Sequence, residues 1–144
     1  MVGAAKLAHP KETGGVLVGV RVHGRPWVTH ALEIRSRDSG PAQYILDGDA
    51  RQSAVDEIRE IDWRIGYIGE WHSHPANTPP TSRDIRSIAR LARDPEAECP
   101  HPVLVVVRCK AANWVLDATQ WQVARASHVR LIAAGGLPRA EETS

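Results

Sequence analysis

Phenylalanine is absent from this chain, methionine occurs once and cysteine twice, and only three of the eighteen basic residues are lysine. Without phenylalanine, a core has to be filled by Val, Ile, Leu and Ala with help from five tryptophans. The arginine excess reads as codon bias. Cys99 and Cys109 lie at no metal-ligand spacing and make no disulfide framework, so both are expected as free thiols in a reducing cytoplasm. A net charge of +1 leaves no broad basic field for nucleic acid or an anionic membrane. Long apolar runs are missing too. The stretches 15–20 and 103–107 are far too short to span a bilayer, and Lys6 interrupts the only apolar segment near the N-terminus, which does not read as a signal peptide.

What is present is ordinary for a globular protein of 144 residues, 42% hydrophobic and 24% charged, long enough for one domain with a real core. That domain is expected over 1–133, with 134–144 as a flexible tail. Residues 2–8 predict a helix. Strands are expected over 15–22 and 27–34, joined by the His23-Gly24-Arg25-Pro26 turn into a hairpin. A polar loop follows over 36–41, and 44–46 is a candidate short strand. Asp47 or Asp49 opens a helix to about Trp63, with Ala54, Val55, Ile58 and Ile61 as one apolar stripe. A strand over 65–71 leads to a second helix over 82–93, which buries Ile85, Ile88, Ala89 and Ala92. Residues 103–108 are strongly β-branched, 110–113 form a turn, and 114–116, 121–124 and 129–133 are candidate strands. The irregular alternation, hairpin included, fits an α+β fold: a mixed β-sheet with helices packed on it.

The chemistry is concentrated in Glu70-Trp71-His72-Ser73-His74-Pro75 and the Thr81-Ser82-Arg83-Asp84 that follows. Side chains alternate along a strand, so His72 and His74 point to one side. Asp84 could add a third ligand, leaving one coordination position open on a zinc ion. Taken singly, these parts are weak. His-x-His is common in a chain with seven histidines, and Thr81-x-x-Asp84 also reads simply as a helix N-cap with an acid in the first turn. His9, His23, His30, His101 and His128 show no partner spacing.

In combination and in order, Glu12-Thr-Gly-Gly-Val-Leu-Val-Gly19, His72-Ser-His-Pro75 and Thr81-Ser-Arg-Asp84 resemble the signature of the JAMM (MPN+) metalloproteases, above all the short bacterial JAB-domain proteins. The resemblance covers roughly residues 4–107. It implies a single MPN/JAB-like domain in which His72, His74 and Asp84 bind one catalytic Zn²⁺. Glu12 then matches the general base and Thr81 the hydroxyl that stabilises the oxyanion. Five residues separate Pro75 from Thr81, where the family usually has six. Keeping six would use Ser82 instead, but Thr81 preserves the offset to Asp84. No strand is predicted ahead of the first helix, where the family commonly has one.

The implied activity is zinc-dependent cleavage after the C-terminal glycines of a ubiquitin-like or sulfur-carrier protein, in deconjugation or precursor processing. Bacterial relatives of this kind work in antiviral conjugation systems among others. Two readings compete: a metal-free MPN-type scaffold that binds protein partners, and a nucleic-acid-associated domain like that of RadC proteins, which carry a similar His-x-His-Pro. Retention of all three ligands speaks against the first and near-zero net charge against the second. Around the motif, Glu70 is a candidate for orienting a ligand, for a rival base, or for a plain ion pair with an arginine. Trp71 and Ser73 are candidates for the groove or for supporting the ligands. Arg83, Arg86, Arg90 and Arg93 form a stripe that reads either as a solvated helix face or as a recognition surface for an acidic partner. Neither membrane association nor a particular oligomeric state is indicated.

Overall fold

The computed structural model describes residues 1–36 and 44–135. Most of the expected 36–41 loop and nearly all of the expected tail lie outside the described residues. The elements are α1 (Val2–Ala8), β1 (Gly14–Val22), β2 (Arg25–Glu33), α2 (Gly48–Ile61), β3 (Gly66–His74), α3 (Ser82–Leu91), a short 3₁₀ turn (Pro95–Ala97), β4 (Val103–Lys110), β5 (Asn113–Gln122) and β6 (Arg125–Val129). Six strands form one sheet in the order β2-β1-β3-β4-β5-β6. Every neighbouring pair is antiparallel except β3 and β4, and α3 lies in the crossover that a parallel pair requires. None of the described helices is long and apolar enough to cross a membrane.

The central strands are apolar on both faces because helices cover both. Val103, Val105 and Val107 of β4 join Leu17, Ile68 and Trp71 in a cluster with Ala5 of α1. Leu104 and Val106 point the other way, to Ile88 and Ala89 of α3 and to Trp121. On that same face Val16 and Val18 of β1 meet Val55 of α2. The sheet is therefore sandwiched between α1 and the pair α2/α3. Ile61, expected in the buried stripe of α2, is 83% exposed; as the last helical residue it is not part of the cluster around Val55.

Several expected element boundaries change, and β3 runs on through the histidines to His74 instead of ending at 71. Residues 44–46 are irregular rather than a strand. The candidate strand at 114–116 and the first half of that at 121–124 belong to one long β5, where the polar run Asp117-Ala-Thr-Gln120 hides a segment whose Thr119 and Gln120 are buried. The following hairpin turns at Val123-Ala124, with Val123 at φ 53°. Such turns usually announce themselves with Asn-Gly or Asp-Gly. That signal is missing here, so the sequence does not announce β6, which runs from Arg125 to Val129 and does not start at 129.

Close backbone approach fixes where β3 meets β4. A Cβ built on Gly69 would lie 1.8 Å from the Val103 carbonyl oxygen, whereas one on Gly66 meets nothing within 4 Å. Gly69→Ala is accordingly expected to destabilise the fold by at least about 1–3 kcal/mol through forced backbone shifts. Gly66→Ala should stay within about 0.5 kcal/mol of the parent. Urea unfolding of the two variants checks the pair, and equal stabilities would contradict the register described.

Candidate metal centre

The candidate cluster grows out of the end of β3. Alternation along the strand puts Glu70, His72 and His74 on the α3 face, where all three line one cavity. Trp71 and Ser73 face away. Trp71 is 1% exposed in the core against Leu17 and Val105 and donates its indole N–H to the Leu32 carbonyl at 3.1 Å. It does not line the groove, because an odd step along a strand changes face. After Pro75 the chain turns back and Thr81 caps α3. Its hydroxyl accepts the Asp84 amide at 3.3 Å, and the Asp84 carboxylate accepts the Thr81 amide at 2.6 Å, completing a capping box.

That box brings Asp84 to the histidines. His72 Nε2 lies 3.1 Å from Asp84 Oδ1 and 3.1 Å from His74 Nε2, and His74 Nε2 lies 3.6 Å from Asp84 Oδ2. One ligand atom from each residue falls within 4.8 Å of the others. Ligands held at about 2.0–2.2 Å from one tetrahedral ion sit about 3.3–3.6 Å apart, so these spacings fit a metal ion. The chemistry fits as well: two imidazole nitrogens and a carboxylate oxygen converge on one point. His74 places Nδ1 2.7 Å from the Thr78 carbonyl. A carbonyl only accepts, so this bond puts the proton on Nδ1 and leaves Nε2 bare for a metal. Burial alone would raise the Asp84 carboxyl. Hydrogen bonds from His72 and from the Thr81 amide and hydroxyl outweigh it and hold the group well below the usual carboxylate range.

Glu12 lines the same cavity from the turn between α1 and β1. Its Oε2 accepts the Tyr44 amide at 2.7 Å. The next residue is tied to the ligand strand: the Thr13 amide donates to Ser73 Oγ at 3.0 Å, and the Ser73 amide donates to the Thr13 carbonyl at 2.7 Å. Ser73, 1% exposed, thus anchors the Glu12 turn and does not line the groove. Glu70 sits deeper, accepting the Tyr67 hydroxyl at 3.0 Å and facing Arg51 at 3.9 Å, the ion pair that was one of its expected readings. Burial pushes its carboxyl up, and Tyr67 and Arg51 offset this only in part.

Thr81 lines the cavity, while Ser82 is exposed and does not. The Thr81 hydroxyl donates to Asp84 Oδ2 at 2.7 Å. Of the arginine stripe, Arg83, Arg90 and Arg93 border the cavity and Arg86 does not. Sequence spacing does not reveal Tyr44 or Arg51, which reach the site through long-range packing, nor does it give Thr13 and Thr78, beside the motif residues, a role. No local pattern marks them.

A model of prokaryotic homologs of the JAB domain matches residues 1–124. The chain is 30% identical over 134 residues to a probable metalloprotease of Sinorhizobium fredii, covering 87% of this chain and 79% of that protein. It is 29% identical over 113 residues to a CD-NTase/cGAS isopeptidase of Enterobacter hormaechei, covering 74% of this chain but only 61% of the relative's length. The solution structure of a protein from Desulfitobacterium hafniense shares the fold at a TM-score of 0.73 and 23% identity, covering 95% of this chain and 88% of that one. With its ligand-bearing strand and capped helix inside the matched span, the chain belongs to the prokaryotic JAB-domain family.

Proposed function

We propose that this protein is a zinc-dependent isopeptidase or peptidase that cuts after the C-terminal glycines of a ubiquitin-like or sulfur-carrier protein, freeing a conjugated target or trimming a precursor. One observation carries the reading: His72, His74, Asp84 and the carboxylate of Glu12 line a single cavity of about 890 Å³. Two imidazoles and one carboxylate are a donor set of catalytic zinc sites with one position left open. The names of the two relatives, a metalloprotease and an isopeptidase, support the reaction class. The glycine-tailed substrate follows from the family resemblance and accords with the conjugate implied by the isopeptidase name.

Zinc, when bound, lowers the pKa of its water toward ~7 and polarises the scissile carbonyl. The remaining work falls to the chain. Glu12 uses the oxygen not held by Tyr44 to take a proton from the attacking water and return it to the leaving amine. His74 keeps Nε2 free because the Thr78 carbonyl holds the proton on Nδ1. Thr81, rather than the outward-facing Ser82, supplies the hydroxyl: it steadies Asp84 at rest and stabilises the oxyanion as charge develops. Glu70, already engaged by Tyr67 and Arg51, is not the base.

The purified protein should hold one zinc and cleave ubiquitin-like proteins extended or conjugated beyond Gly-Gly, with turnover lost on chelation and restored by zinc. Protein that neither carries nor takes up metal would favour a scaffold instead, and chelator-insensitive cleavage would remove the metal from the reaction. Glu12→Gln should lower kcat by about 10²–10⁴-fold at unchanged zinc content, while Glu70→Gln retains turnover. The reverse pattern would transfer the base role to Glu70.

Removing the Thr81 hydroxyl separates the two candidate residues. Thr81→Ala should reduce kcat by about 10²–10³-fold and lose about 1 kcal/mol of stability with the cap. Thr81→Ser should keep most of both, and Ser82→Ala should match the parent. Loss of activity in Ser82→Ala with Thr81→Ala unaffected would reverse the assignment.

A further inference from the structure

Helix α3 delivers Asp84 to the metal centre, and it also builds one wall of the cavity. Ile88 and Leu91 are buried at its base, and Arg83, Ser87 and Arg90 border the opening. Arg83 and Arg90 lie seven residues apart, about 10 Å along the helix, and both are exposed. Neither guanidinium has a hydrogen bond or ion pair among the described residues. The other two arginines of the cavity are engaged. Arg51 faces Glu70 at 3.9 Å and Asp94 at 3.8 Å and lies over the Tyr67 ring, and Arg93 lies over the Trp121 ring at 5.7 Å.

The carboxylates of the cavity are engaged as well. Glu12 accepts the Tyr44 amide, Glu70 the Tyr67 hydroxyl, Asp84 the Thr81 amide and hydroxyl, and Asp94 the Glu96 amide. Among the described residues, Arg83 and Arg90, both on α3, are the charged side chains of the cavity left without a hydrogen bond, ion pair or ring contact. An extended peptide laid along this wall would cover two guanidiniums, a loss unless the peptide brings acids to meet them.

We propose that Arg83 and Arg90 read acidic side chains of the protein substrate. The substrate segment lying along α3 carries Asp or Glu within about three residues of the scissile bond, since about 10 Å is three residues of extended chain and Arg83 adjoins the ligand Asp84. A peptide fits better than a nucleic acid. The apolar walls that Ile45, Leu46, Ile88, Leu91 and Leu104 give the cavity suit the side chains of a peptide and not a phosphate backbone. This inference rests on the proposed peptidase reading, of which it specifies the substrate.

Binding to an uncleaving protein keeps the two ideas separable. Zinc-treated Glu12→Gln protein is titrated with fluorescent Gly-Gly peptides carrying Glu, Gln or Lys within three residues of the scissile bond, on either side. Glu peptides should bind about 3–30-fold tighter than Lys peptides at low salt, as two exposed ion pairs allow. The preference should shrink as salt is raised and invert when Arg83→Glu and Arg90→Glu are added. Arg83→Gln/Arg90→Gln should abolish it without inverting it, and Arg86→Gln, off the cavity, should leave it intact.

Equal affinity for Glu and Lys peptides, binding of neither, or a preference that survives both double substitutions would overturn the proposal. So would single-stranded RNA of equal charge binding more tightly than the Glu peptide. Absence of cleavage by the parent protein, with the binding preference present, would sink the peptidase reading alone. Cleavage without acid preference would sink only this inference.

Discussion

Everything at this site depends on one carboxylate doing two jobs. Asp84 is the third residue of α3, where its Oδ2 accepts the amide and hydroxyl of Thr81, and it turns Oδ1 toward His72 Nε2 at 3.1 Å. The helix N-terminus favours a negative charge, and the capping box fixes the rotamer that delivers it. Neither function is available if the helix starts elsewhere. A one-residue slip of the helix start would turn the carboxylate by roughly 100° about the helix axis. The cap is therefore part of the ligand geometry, and stability and chemistry are coupled through the same hydrogen bonds.

The sheet satisfies that constraint from the other side. A parallel β3–β4 pair needs a crossover, and α3 in the crossover starts near the carboxyl end of β3, where ligand-binding crevices of open sheets containing parallel strands form. His72 and His74 reach the same place by alternation alone. Glu12 comes from an antiparallel neighbour, since Gly14 pairs with His72 across β1 and β3. The Thr13–Ser73 exchange of two hydrogen bonds extends that pairing just past the strand. Two segments distant in sequence thus converge through ladder register, and the intervening Ser73 is buried because it belongs to that register.

Local chemistry made much of this legible before any coordinates. Alternation put both imidazoles on one face, Thr81-x-x-Asp84 announced a cap, and the β-branched run at 103–108 could only be a buried strand. What stayed hidden had no local signature. Arg51 and Tyr67 engage Glu70 from an exposed-looking helix and a strand start, and Tyr44 meets Glu12 across a sequence separation of 32. The arginine stripe was ambiguous for a related reason. Helical spacing places Arg83 and Arg90 on one face, yet only the packing of α3 on Leu104 and Val106 turns that face to the cavity. Trp71 misleads in the opposite sense: an aromatic beside two ligands suggests a groove, whereas strand parity sends it into the core.

The loop between Pro75 and Thr81 is where this chain is shorter than the family pattern, and its conformation has to come from contacts made outside the motif. Arg108, at the end of β4, donates to Asn77 Oδ1 within that loop and to both carboxylate oxygens of Asp117 on β5. Thr78, next along, offers the carbonyl that meets His74 Nδ1. Asp117 thus holds Arg108, Arg108 holds Asn77, and the loop so placed sets the tautomer and ring plane of the His74 imidazole. A planar guanidinium with donors at fixed angles suits this task, where a lysine would give only a mobile point charge. The geometry of the candidate site is therefore built on the far side of β4 as well as in the motif, and it reaches His74 through the Thr78 carbonyl.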